Sequence, residues 1–148
     1  MDDLVRWLGE QYDEDERAAR AATPGPWVQA EGTGPLGHRV GTADESDWVA
    51  WTGEIAEGRS EADATFIAAH DPARVLREID AKRRLLAPHK PGLNPGMDSD
   101  DNDPSTWLPV CSTCQTTIAH PGDWPCESVR LLVLPYADRA GYREAWRP

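Results

Sequence analysis

The sequence has little of what marks secreted, membrane-spanning or nucleic-acid-coating proteins. No run approaches the roughly 20 consecutive apolar residues that cross a bilayer. The opening stretch MDDLVRWLGEQ is acidic where a secretory leader is basic, so export is not expected and a cytoplasmic location is. Basic residues are scarce. Against 26 Asp and Glu stand 15 Lys and Arg, for a net charge of −11, a balance that repels phosphate backbones and membrane surfaces. That acidity keeps a small protein soluble, and it also suits a partner with a basic face. Phenylalanine is nearly absent, with one residue against seven tryptophans. Cysteines number three, and in a reducing compartment they are metal ligands, catalytic groups or inert side chains more often than disulfides.

What is there suggests one domain of 148 residues with helices at both ends of a small sheet. Leu4, Trp7, Leu8 and Gln11 or Tyr12 recur at helical spacing after a capping Asp2 or Asp3. TPGPW stops this helix, because proline lacks the amide and clashes with the preceding turn. WVQA, HRVG and DWVAWTG read as two or three short antiparallel strands. A second helix starts near Ser60, with Ser60 and Asp63 as a capping pair and Phe66 and Ile67 buried. Asp71 as N-cap and Pro72 in the first helical position restart a third helix. Its apolar stripe is Val75, Leu76, Ile79 and Leu86. Its Arg74, Arg77, Lys82, Arg83 and Arg84 form the one basic stretch of the chain, a solvated face or a contact for an acidic partner.

Residues 91–106 read as an acidic flexible loop. Asp98, Asp100 and Asn102 alternate as in a calcium-binding loop, but Asp103 replaces the turn glycine and Pro109 the bidentate glutamate, so no calcium site is expected. After the cysteines, ESVRLLVL reads as a short helix with Val129, Leu132 and Val133 inward. Tyr136, Tyr142 and Trp146 are spaced to pack back on the core.

All three cysteines lie in VCSTCQTTIAHPGDWPCESVRLL. The Cys111-x-x-Cys114 spacing lets one tight turn present two thiolates to a tetrahedral metal. Cys126 opens a helix, where free amides favour a thiolate and supply a third ligand. With no fourth cysteine, the last ligand of a structural zinc site is a histidine, either His89 or His120. Three other readings compete: a thiol redox pair, a Cys126 nucleophile with His120 as base, and inert cysteines. The redox pair lacks its strand-turn-helix setting, and the nucleophile lacks an acid or oxyanion partner.

Three blocks, ATPGPW (22–27), DATFIAAHDPARVLREIDAKRRLL (63–86) and WPCESVRLLVLPYADRAGYREAWRP (124–148), resemble an uncharacterised family of small proteins from actinobacteria and their phages. The resemblance covers nearly the whole chain. It implies a phage or mobile-element association without an assigned activity, and a histidine soon after the KRRLL helix, which favours His89. It further implies histidine in many relatives at the place of Arg139 and relatives without the cysteines, hence a structural rather than catalytic metal.

The resulting expectation is an α+β fold: an N-terminal helix, a small antiparallel sheet, a long helix pair and a zinc-clipped C-terminal segment. It comprises a core of residues 1–90, the 91–106 loop and a zinc-binding segment 107–148. The expected role is a non-enzymatic interaction module for a protein partner. The alternatives are a zinc-dependent regulator touching nucleic acid through the basic helix, and a thiol redox or metal enzyme.

Overall fold

The structure, a computed structural model, describes residues 3–31, 37–53, 58–95, 100, 102–114 and 124–148. Among them are four α-helices and two small antiparallel sheets, an α+β fold as expected. The chain divides into two compact units, residues 12–80 and residues 1–11 with 81–148. No described helix is long and apolar enough to cross a membrane.

Helix α1 (Asp3–Ala21) feeds both units. Its stripe behaves as the spacing predicts: Leu4, Trp7, Leu8, Gln11 and Tyr12 are all buried, while most of the DEDER run faces solvent. The helix stops just ahead of the Pro-Gly-Pro turn, which Trp27 closes by donating its indole Nε1–H to the Thr23 carbonyl at 2.9 Å.

In the 12–80 unit, β1 (Trp27–Glu31), β2 (His38–Thr42) and β3 (Trp48–Trp51) form a meander in the order β1-β2-β3. Trp27 pairs with Thr42 and Glu31 with His38 across the first hairpin. The central strand buries Val40 completely, and α2 (Ser60–Ala69) packs on β1 and β2 with Ala64 buried. Ser60 does not cap α2. Arg59 takes the cap position without a side-chain bond, while the Ser60 hydroxyl accepts the His38 amide at 2.7 Å and so ties the helix start to the sheet. Phe66 is not buried either. It is 65% exposed, with its ring 4.1 Å from that of His70, because the small Ala64 is the side chain that α2 buries.

Helix α3 (Pro72–Leu86) begins where Asp-Pro predicts. The Asp71 carboxylate accepts the Arg74 amide at 2.7 Å and also the Trp27 amide at 3.2 Å. One buried side chain therefore caps a helix and fixes the entry to the sheet.

In the other unit, β4 (Pro91–Asn94) and β5 (Leu108–Cys111) form a two-stranded sheet. The strand at Pro91–Asn94 occupies ground whose proline, glycine and asparagine read as loop. It is tolerated because a two-stranded ribbon has only edges, where a proline costs no ladder bond on its free side. Helix α4 (Glu127–Val133) buries Val129 and Val133. The tail follows, with Tyr136 and Trp146 buried and Trp7, Tyr142 and Trp146 packed ring against ring at 5.2–6.1 Å. Asp98, from the calcium-like spacing, lies outside the described residues.

Candidate metal centre

Four side chains from three separate pieces of this unit converge. The β4–β5 register sets Pro91 opposite Cys111, so the residues just before Pro91 run beside those just after Cys111. His89, in the turn that closes α3 through its amide to the Leu86 carbonyl, is thereby carried to the Cys111–Cys114 turn. That turn is stitched in place. The Ser112 amide donates to the Lys90 carbonyl at 2.9 Å, and the Ser112 and Thr113 hydroxyls both donate to the Pro88 carbonyl. Cys126 arrives from the third piece, in extended conformation as the residue before α4.

The Nδ1 atom of His89 lies 3.3 Å from Cys111 Sγ and 3.4 Å from both Cys114 Sγ and Cys126 Sγ. All four ligand atoms fall within 4.8 Å of one another. In a tetrahedron with metal–sulfur bonds of ~2.3 Å and a metal–nitrogen bond of ~2.0 Å, the sulfur–nitrogen edge is about 3.5 Å. The donor set therefore fits a tetrahedral cation. Cys111 and Cys126 are buried and Cys114 is partly exposed.

The electrostatics of the sulfurs point the same way. Burial pushes the Cys111 thiol up, but the amides of Cys114 and Thr113, helped by His89 and Cys126, outweigh it and bring it down to about 7. Burial also pushes Cys126 up. The Val129 amide opposes this, while Cys111 and Cys114 add to it, and the thiol ends at about 11. By themselves three crowded sulfurs resist all becoming thiolates; a cation among them removes that conflict.

Arg130 holds the third piece and was not singled out from the sequence. Its guanidinium donates to the Pro125 carbonyl at 2.9 Å, next to Cys126, and to the carbonyls of Ala145 and Arg147 at 3.3 and 3.1 Å. An arginine three residues into a short helix after Pro-Cys carries no distinctive sequence signal for this. His120, the other candidate ligand, lies outside the described residues.

The five basic residues of α3 do not make one cationic face. At about 100° per residue, Arg74, Arg77 and Arg84 share one side, whereas Lys82 and Arg83 flank the buried stripe. Arg74 is bound to the Glu78 carboxylate at 2.6 Å and to the Ala69 carbonyl at 3.0 Å. Lys82 donates to the Tyr136 hydroxyl at 3.2 Å, and Arg83 and Arg84 are also engaged.

The whole chain, residues 1–148, belongs to a family described as a family of unknown function (DUF6221). No curated protein and no solved structure matches it.

Proposed function

We propose that this family member is a non-enzymatic module that binds a protein partner in the cytoplasm, its C-terminal segment held by one structural zinc ion on His89, Cys111, Cys114 and Cys126. The supporting observation is the convergence of three sulfurs, of Cys111, Cys114 and Cys126, at 3.3–3.4 Å from one imidazole nitrogen, His89 Nδ1. Three sulfurs and one nitrogen suit zinc better than the harder divalent cations. Four protein ligands leave no open position for a substrate, which favours a structural role over catalysis. The resemblance to small proteins of actinobacteria and their phages supports a partner from a phage, a mobile element or its host.

The test is metal analysis joined to native mass spectrometry of protein purified without chelator. One zinc per chain is expected. Metal-free protein with three thiols that titrate freely under native conditions would remove the basis of the proposal. Duplex DNA should not bind at moderate ionic strength. A complex that weakens steeply with salt and disappears in a double Arg83→Glu, Arg84→Glu variant would replace protein binding by nucleic-acid binding.

A further inference from the structure

The sheet of the 12–80 unit carries a feature that the metal centre does not use. Trp48 and Trp51 are three residues apart, and in a regular strand they would point to opposite faces. The β2–β3 register pairs Arg39 with Trp51, Val40 with Ala50, and Gly41 with Trp48, with the irregularity between Val40 and Gly41. This bulge turns Trp48 onto the face that Trp51 occupies, leaving the ring centroids 6.5 Å apart. Gly41 makes the arrangement fit, since a Cβ there would come within 2.8 Å of the Trp48 ring. The two rings stay 39% and 50% exposed, and Val28, paired with Gly41 and 37% exposed, extends the same face. The sheet buries Val40 on its other side, so the tryptophan face is not spent on the core.

Charge is laid out along this face. The Arg39 guanidinium lies 3.6 Å over the Trp48 ring, its Nε is buried without a hydrogen-bond partner, and among the described residues it makes no ion pair. That is unusual in a chain with 26 acidic residues. Directly before β3, at the same end as Trp48, the turn exposes Asp44, Glu45 and Asp47. The turn is held by the Thr42 amide donating to the Asp47 carbonyl at 3.0 Å and by the Asp47 amide donating to the Thr42 hydroxyl at 3.1 Å. β3 is also an edge strand, with no partner on its outer side among the described residues.

We propose that the β3 edge and its tryptophan face dock an extended segment of a partner protein. Apolar side chains of that segment lie on Trp48 and Trp51, a carboxylate meets Arg39, and a cation sits beside Asp44, Glu45 and Asp47. An added strand gains affinity from main-chain hydrogen bonds and specificity from alternate side chains. A single-stranded nucleic acid could stack on the tryptophans, but the acidic turn opposes its phosphates. The proposal rests on the protein-binding reading above and names its surface.

The experiment pans a random-peptide phage library on the zinc-loaded full chain, then titrates the synthetic consensus peptide by tryptophan fluorescence. Enriched sequences should alternate apolar residues and carry both an acidic and a basic side chain, and binding should shift the emission to the blue. Trp51→Ala and Arg39→Gln should each weaken binding by roughly tenfold or more, as hot-spot losses do, with thermal melting unchanged; Arg77→Ala should leave binding intact. The proposal is overturned by an absence of enrichment, by peptides that bind both variants as well as the parent, or by a labelled oligothymidylate that binds instead and is lost with Trp51. Zinc is measured on the same samples. Zinc retained without peptide binding sinks the surface alone, whereas peptide bound by zinc-free protein sinks the metal reading alone.

Discussion

His89 Nδ1 and Cys111 Sγ stand 3.3 Å apart across 22 residues of sequence. The β4–β5 ladder, pairing Pro91 with Cys111, is what shortens that separation. The ladder and the end of α3 together bring His89 to the cysteine turn, and this placement is the ground for expecting His89 as the nitrogen donor. His89→Ala should therefore cut zinc retention against a competing chelator by at least tenfold, while His120→Ala should leave it near the parent value. If only His120→Ala releases metal, the assignment passes to His120.

Asp71 bears a comparable weight in the other unit. It is 7% exposed and accepts the Arg74 amide at the start of α3 and the Trp27 amide at the start of β1. Asp71→Ala loses a helix cap, about 1 kcal/mol, and leaves a half-buried amide without its acceptor, about 1–3 kcal/mol more. A loss of about 2–4 kcal/mol in urea unfolding is expected, with Asp71→Asn costing less because it keeps an acceptor. Gly25→Ala should be destabilising as well, since a Cβ there meets the Asp71 carboxylate at 2.8 Å. A change under about 0.5 kcal/mol for Asp71→Ala would place it among ordinary surface substitutions.

These two centres were legible in the sequence to different depths. Asp71-Pro72 is a short-range signal whose mechanism needs only its own helix, and it was readable. The second half of its role, toward Trp27, required knowing that ATPGPW and HDP meet, which no local pattern encodes. The three cysteines announced themselves by spacing and by the helix after Cys126, yet what brings His89 beside them is a strand concealed in PGLN. Phe66 is exposed where burial is expected because α2 scatters Ser60, Glu61, Asp63 and Thr65 among its apolar residues, so periodicity could not say which side faces the sheet. DWVAW looked like an ordinary strand; its bulge arises from pairing with Gly41 and is invisible without the partner strand.

The opposite displacements of Cys111 and Cys126 set a pH dependence for metal binding. Metal binds thiolates, so any thiol still protonated must release its proton on binding, and affinity rises with pH until that thiol is ionised. Cys111, brought down to about 7, stops contributing above that range. Cys126, pushed up to about 11, keeps its proton and must still lose it. Zinc affinity, measured by competition with a chelator of known proton stoichiometry, should therefore continue to climb by up to roughly tenfold per pH unit above about pH 8. A flat profile there would mean that Cys126 is already a thiolate and that burial does not govern it.

Removal of the metal should act on the ligand-bearing pieces before the tail. The β4–β5 ribbon has four residues in each strand, and an isolated two-stranded ribbon is marginal in water. Ordering its backbone costs roughly 1–2 kcal/mol per residue, while structural zinc sites supply on the order of 10–16 kcal/mol in small modules. A bound zinc ion would therefore be the larger stabilising term for the turn at Cys111–Cys114 and for the approach to Cys126. The tail has burial of its own, with Trp146 buried and 5.2 Å from the Trp7 ring, whose indole N–H donates to the Ala140 carbonyl at 3.0 Å. Chelation should leave most of the far-ultraviolet helical signal in place, since α1 and α3 do not depend on the cluster. Limited chymotrypsin digestion of the chelated protein should then cut after Trp107, at the start of β5, early and after Tyr142 late, and adding zinc back should restore protection at Trp107. Equal cleavage after Trp107 with and without chelator would show that the four ligands do not hold this segment in place.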